Sequence, residues 1–260
     1  MAISLASLKR GKEDTPLRMV IAGSPGVGKT TFACLSPGAV VVQTEDGIAP
    51  LIQAGLLPED LPRFPLAQSY VDVQEALTSL YQEDHQFKTL VLDSLDWLEP
   101  LLWAQCCHDQ NWASIEAPGY GKGYIELDRY WKEILTAFNY LRNDRGMNII
   151  LTAHTEAKKF ESPDEAPYDR YQMKLHKRAH ALIEEWADVI GTARFRPLIS
   201  TEVRGAGKTA KKVHKAVGEM DRVLYLSEKP SVIAKNRYGL KSELPLSWAS
   251  FAEALAAPRT

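Results

Sequence analysis

Short, continuous apolar runs alternate along the chain with longer stretches in which apolar residues recur every three or four positions. The runs in "LRMVIAG" (17–23), "AVVVQTE" (39–45), "KTLVLDSLDWL" (88–98) and "MNIILTAHT" (147–155) predict four strands buried on both faces. In "YIELDRYWKEILTAFNYLRNDRG" (124–146), Leu127, Tyr130, Trp131, Ile134, Leu135, Phe138 and Leu141 share one helical face, and Gly146 supplies a stop. A second amphipathic helix is predicted in "KLHKRAHALIEEWAD" (174–188), with Leu175, Ala179, Leu182, Ile183 and Trp186 on one face. It leads into a further strand, "VIGTARF" (189–195). After about residue 197 the runs shorten and alternate around turns. "PLISTEVRG", "DRVLYLSE" and "SVIAKNRYG" predict antiparallel strands added to the sheet, and "SWASFAEAL" a short final helix burying Trp248, Phe251 and Leu255.

Buried strands alternating with helices define the expected fold class: α/β, with a mainly parallel central sheet flanked by helices and antiparallel strands toward the C-terminus. No repeat or low-complexity linker divides the chain. The expected organisation is a polar N-terminal segment (1–16), a single core (17–245), and a short C-terminal helix and tail (246–260). Leu5 and Leu8 are candidates for docking the N-terminal segment on a neighbouring subunit.

Composition narrows the class without choosing a function. A chain of 260 residues, 45% apolar and 25% charged, is ample for one large globular domain. Its formal net charge of -2 gives no global pull toward polyanions, so any nucleic-acid contact must come from local patches. No run approaches membrane-spanning length, and a cytoplasmic protein with no membrane partner is expected. The three cysteines are too few for a disulfide framework. Cys106, Cys107 and His108 occupy one helical turn that cannot aim all three at one ion, so reduced, partly buried thiols are expected.

Candidate chemistry begins at "GSPGVGKTT". Gly23, Ser24, Pro25, Gly26, Val27, Gly28, Lys29, Thr30 and Thr31 satisfy G-x-x-x-x-G-K-[ST] between a predicted strand and a predicted helix start. The glycines let successive N–H groups curl toward phosphates. Lys29 is suited to bridge the β- and γ-phosphates of ATP, and the Thr30 hydroxyl to ligate Mg²⁺. Such a site needs an acid at a strand end to hold the metal, and Asp93 in "TLVLDS" supplies it. Hydrolysis needs a further carboxylate to orient water. Glu45 is the candidate, with Asp46 its rival. His154 ends the fourth strand on the ligand-binding edge of the sheet, as a phosphate sensor or as a structural histidine.

This order of parts resembles the RecA-type P-loop ATPase core: a carboxylate after the second strand ("QTEDG"), an Asp-Ser pair ending the third ("LVLDSLDWL") and a polar residue ending the fourth ("TAHT"). RecA-like proteins typically carry glutamine where this chain has His154. "AKNRYG" (234–239) resembles the Lys-Asn-Arg-aromatic-Gly motif of RadA-type members. The resemblance implies that Lys235 and Arg237 act in trans on a neighbouring subunit's nucleotide, so that ATP hydrolysis depends on assembly. "LRNDRGMNIILTAHTEAKKFESPDEAPYDRYQMKLHKRAHALIEEWAD" is similar to phage-encoded nucleotide-binding proteins of this superfamily, which include RecA-core single-strand annealing proteins. The resemblance covers roughly residues 17–245. It implies a homo-oligomer, ring or filament, with ATP at subunit interfaces. It further implies single-stranded DNA as partner, a single-strand-binding protein as a further candidate partner, and the cytoplasm of a bacterial host.

In RecA-like proteins the segments after the third and fourth strands approach DNA. The corresponding loops here are "NWASIEAPGYGKGY", with Tyr120, Lys122 and Tyr124, and "TEAKKFESPDEAPYDRYQ", with Lys158, Lys159, Phe160 and Arg170. Both combine charge with aromatic faces, as base stacking on a tracked backbone requires. The run "RGAGKTAKKVHK" (204–215) imitates a phosphate loop but has Glu202 where its first glycine would stand. It reads instead as a basic hairpin tip turning at Gly205 and Gly207, in which Arg204, Lys208, Lys211, Lys212 and Lys215 are candidates for DNA-backbone or subunit contact. His176 and His180 lie one helical turn apart and are expected as solvated helix-face residues, since Lys177 stands where a metalloprotease helix has glutamate. The leading function is an oligomeric ATPase that coats single-stranded DNA and promotes annealing or recombination. The alternatives are a RadA-like DNA motor and a nucleotide switch that binds protein without DNA.

Overall fold

The computed structural model describes residues 7–8, 11, 15–161, 167–196, 199–204, 211–216 and 221–257, with 199–204 and 211–216 described in their backbone only. Strand β1 (Arg18–Gly23) runs into the glycine loop and helix α1 (Lys29–Cys34), followed by β2 (Ala39–Gln43), α2 (Ile48–Gln53) and α3 (Tyr70–Gln82). Ser69 starts α3 through a capping box: its hydroxyl accepts from Asp72 N, and the Asp72 carboxylate accepts from Ser69 N at 2.9 Å. Next come β3 (Thr89–Asp93), α4 (Leu95–Gln110) and α5 (Lys122–Asp144). β4 (Asn148–Phe160), β5 (Tyr168–Met173), α6 (Lys177–Trp186) and β6 (Val189–Arg196) complete the α/β part.

β6, β1, β4, β3 and β2 lie side by side in that order, all parallel. Both faces are covered, which explains the unbroken apolar runs. Val20 and Ala22 face the layer of α3, α4, α5 and α6, while Met19 and Ile21 face α1 and the C-terminal helix. On α5 the predicted face is buried, including Tyr130, Trp131 and Phe138. Each such side chain contributes about 1.5–3 kcal/mol through apolar burial.

Beyond β6 the strands turn antiparallel, as expected. β9 (Asp221–Tyr225) pairs with the C-terminal half of β6, β10 (Lys235–Asn236) with its start, and β11 (Glu243–Pro245) with β9. Helix α7 (Trp248–Ala256) buries Phe251 against Phe32 at 5.8 Å between ring centroids, while Trp248 and Leu255 are only partly covered. One expected strand is placed differently. β7 (Ile199–Arg204) pairs with β8 (Lys211–Ala216) in a separate two-stranded sheet rather than joining the central one.

The segment after β4 also departs from expectation. Residues 155–160 and 168–173 are an antiparallel hairpin, not a loop, because β4 continues past the sheet edge and pairs with β5 from Thr155↔Met173 to Phe160↔Tyr168. Likewise Lys122 opens α5 instead of sitting in a turn, and α6 begins three residues later than its apolar pattern. A Cβ on Gly123 would lie 1.8 Å from the Ile115 carbonyl oxygen, so the α4–α5 connection packs directly on this backbone. Gly123→Ala is expected to destabilise the protein by about 3 kcal/mol through overpacking, measured as a lower urea midpoint with unchanged slope.

Candidate functional site

The parallel register sets Gly23 beside His154, and Gln43 beside Asp93, at the C-terminal ends of their strands. The loop leaving β1 there has Gly26 at φ 74° and Gly28 at φ 108°, left-handed values that favour glycine. Val27 is buried and pins the loop, while Ser24, Pro25 and Gly26 are exposed. Thr31 is half-buried in the first turn of α1. Lys29 folds back under the loop and donates to the Gly23 and Ser24 carbonyl oxygens, both at 3.1 Å. Burial lowers its pKa, against the pull of Asp93, Asp96 and Glu45.

Asp93 is buried at the end of β3 and accepts from the Thr30 hydroxyl at 2.9 Å and from the Thr152 hydroxyl of β4. The Asp93–Ser94 peptide is cis. Thr44 holds Ser94 through both main-chain groups: its hydroxyl accepts from Ser94 N at 2.8 Å and donates to Ser94 O at 2.7 Å. Glu45 accepts from the Ser94 hydroxyl at 3.2 Å and lies 3.9 Å from His154 Nδ1. Its rival Asp46 is exposed.

His154 is oriented by Asp96, in the first turn of α4. The carboxylate accepts from His154 N at 2.8 Å and pairs with His154 Nδ1 at 2.9 Å, leaving Nε2 as the ring nitrogen for a ligand. Burial raises the Asp96 pKa, but the hydrogen bonds from His154 prevail and hold it below the usual carboxylate range. Asp96, Thr152 and Thr44 join the site without having been expected from the sequence. A second acid three residues after Asp93 was the available signal, since those positions fall on the last strand residue and the first helical turn.

Three carboxylates (Glu45, Asp93, Asp96) thus face one ammonium, a balance suited to a divalent cation. Thr30 and Asp93 offer adjacent hard oxygens, as Mg²⁺ prefers, and would hold it. Bound there, Mg²⁺ would neutralise phosphate charge. Lys29 would bind phosphate oxygens and Glu45 would orient water.

Lys235 and Arg237 are not part of this cluster. β10 pairs with residues 189–190, at the opposite end of β6 from Ala193, the partner of Gly23. Lys235 Nζ donates to the Glu184 and Glu185 carbonyl oxygens at the end of α6, at 2.6 and 3.1 Å. Arg237 pairs with Asp188 at 3.0 Å, while Arg18 makes a bidentate pair with the same carboxylate.

The DNA candidates divide by their neighbours. Tyr120 is fully exposed, whereas Tyr124 stacks on His176 at 3.9 Å between ring centroids. Lys158 pairs with Glu156 at 2.8 Å, and Lys159 lies 3.9 Å from Glu161. Phe160 packs against Tyr168, and Arg170 is largely buried between the Phe160 ring and Glu228. Arg204, Lys211, Lys212 and Lys215 lie on β7 and β8, so the lysines are strand residues rather than tip residues. Lys208, Gly205, Gly207 and Leu5 lie outside the described residues. The histidine expectation is corrected: His176 caps α6 and stacks, and the His180 side chain is mostly covered, with Nε2 3.5 Å from Glu184. Cys106 is buried in the core and Cys107 partly covered.

A parallel sheet ending in a phosphate loop, with a strand-end acid bonded to the loop threonine, defines a P-loop nucleotide-binding protein of the ATPase class. A family model described as an AAA domain matches residues 15–238, and the chain belongs to this AAA domain family. No curated protein matches the chain significantly. Among the described residues no helix is long and apolar enough to cross a membrane.

Glu45→Gln is expected to bind ATP normally and to lose turnover by about 100-fold or more, read by calorimetry and phosphate release. Glu99, one turn beyond Asp96, is buried and accepts from His176 N at 3.0 Å. Burial pushes its carboxyl from 4.5 up to about 7. The folded protein then keeps a proton that the unfolded chain has lost. Stability from this group should therefore fall as pH rises from 4.5 to about 7 and level off above. Glu99→Gln should remove that slope, measured from denaturant midpoints at successive pH values.

Proposed function

We propose that the protein is an oligomeric, RecA-like ATPase that binds single-stranded DNA and promotes strand annealing or recombination in phage DNA metabolism. The observation that carries this reading is the continuity of β4. The strand that ends the phosphate site at His154 runs without a break into the hairpin bearing Lys158, Lys159 and the Phe160–Tyr168 aromatic pair. A change at the phosphate end is thereby linked through one continuous strand to a segment that presents lysines, though paired with carboxylates, beside aromatic faces suited to base stacking. Tyr120, fully exposed, adds a second stacking surface.

The placement of Lys235 and Arg237 supports assembly. They lie about four residues of β1 away from their own phosphate loop, roughly 13 Å along the strand, so a role in hydrolysis requires another subunit's nucleotide. ATP at subunit interfaces then couples hydrolysis to ring or filament geometry. A DNA motor shares these parts but predicts duplex unwinding, which annealing does not. The switch without DNA is favoured by one observation: Lys235 and Arg237 already have partners within their own chain.

ATPase activity and assembly state should both respond to single-stranded DNA at low salt, where phosphate contacts are strongest, and Lys29→Ala should abolish the response. If neither DNA binding nor DNA-dependent assembly appears with any nucleotide, the DNA reading fails and the switch stands. Arg237→Ala should bind ATP like the unmodified protein and lose only assembly-dependent turnover. Replacing Lys211, Lys212 and Lys215 by alanine should weaken DNA binding and flatten its salt dependence by about three contacts' worth, with ATP binding intact in calorimetry.

A further inference from the structure

Two cations that the motif does not include stand beside the phosphate loop. Arg194 follows Ala193, the residue set opposite Gly23 in the parallel register, and so emerges at the phosphate end of β6. With Ser24, Thr155, Tyr171 and Thr192 it lines a cavity of about 170 Å³. Its guanidinium lies 4.6 Å from the Tyr171 ring centroid. Arg18, Arg170, Arg178 and Arg237 each hold a carboxylate, whereas Arg194 forms no ion pair among the described residues. A half-buried guanidinium resting on a ring, with no counter-charge among the described residues, is suited to an anion. Arg222 of β9 occupies the other end of the loop. A Cβ on Gly28 would lie 3.3 Å from Arg222 Nη1, and this guanidinium is 5.8 Å from the Phe195 ring centroid.

The position of Lys29 says which arginine meets which end of a nucleotide. In this type of loop the lysine bridges the β- and γ-phosphates, and here its Nζ lies 3.1 Å from the Ser24 carbonyl oxygen. The terminal phosphate therefore belongs at the Ser24 end, where Arg194 is. We propose that Arg194 binds the terminal phosphate of a nucleoside triphosphate held in the same subunit, so that the site tells triphosphate from diphosphate without a neighbour. Arg222, at the Gly28 end, meets parts that both nucleotides share. The inference rests on the loop binding ATP, and adds a recognition residue that acts within the subunit.

Calorimetric titration with a β,γ-imido analogue of ATP and with ADP, both with Mg²⁺, tests this. Arg194→Ala should weaken the analogue about tenfold or more, the loss of a charge-assisted contact, and leave ADP affinity unchanged. Arg222→Ala should lower both affinities alike. Arg194→Lys keeps the charge without the forked donor, and should show the same selective loss at smaller amplitude should the alanine variant not fold. Equal losses for both nucleotides, or an unchanged preference, would overturn the proposal. Lys29→Ala separates the two levels. Lost binding there, with an unchanged preference in the Arg194 variants, sinks the arginine proposal alone, whereas undiminished binding in Lys29→Ala sinks the phosphate-loop reading with it.

Discussion

The site depends on one buried carboxylate. Asp93 accepts from Thr30 at the start of α1 and from Thr152 on β4, and so ties together the phosphate loop, the strand that carries it and the strand that ends in His154. These groups meet because the strands are parallel and in register, so the ends of β1, β3 and β4 fall on one edge of the sheet. A buried carboxylate without such partners would carry a large desolvation cost. The two threonine hydroxyls offset it and fix the orientation of the acid at the same time.

Charge is sorted around that edge. Glu45, Asp93 and Asp96 face inward with Lys29, while the arginines lie outside this group in separate settings. Arg18 and Arg237 converge on Asp188, where burial alone would raise the carboxyl pKa but the arginine hydrogen bonds hold it below the usual range. Lys235 completes the end of α6. Arg194 and Arg222 instead rest on aromatic rings beside the loop. Basic residues of one chemical type thus serve cohesion at one end of the sheet and face the ligand edge at the other.

Much of the frame was legible in the residues. Continuous apolar runs identify β1 to β4 because both sheet faces are covered, and the α5 face follows from seven large residues at helical spacing. Gly23 to Thr31 were readable because phosphate binding requires particular residues in sequence, and Asp93 because it follows a buried strand. Asp96 was hidden: an acid in the first turn of a helix is an ordinary cap until β4 brings His154 to it. The hairpin of β4 and β5 was hidden too, since its polar, charged sequence has no core to pattern it.

The sequence by itself determined the chemistry of the phosphate loop and the order of the elements, because both follow from local rules: backbone freedom at glycine, and the period of apolar burial. Only the tertiary structure decided which charges belong to the site. The antiparallel pairing of β10 on β6 carried Lys235 and Arg237 to the far end of the sheet, and the parallel register of β1 and β6 brought Arg194, distant by 170 residues from Ser24, to the loop. Electrostatic neighbourhood depends on distance in space, and in a sheet whose strands are joined by helical crossovers that distance is set by strand order rather than by position along the chain.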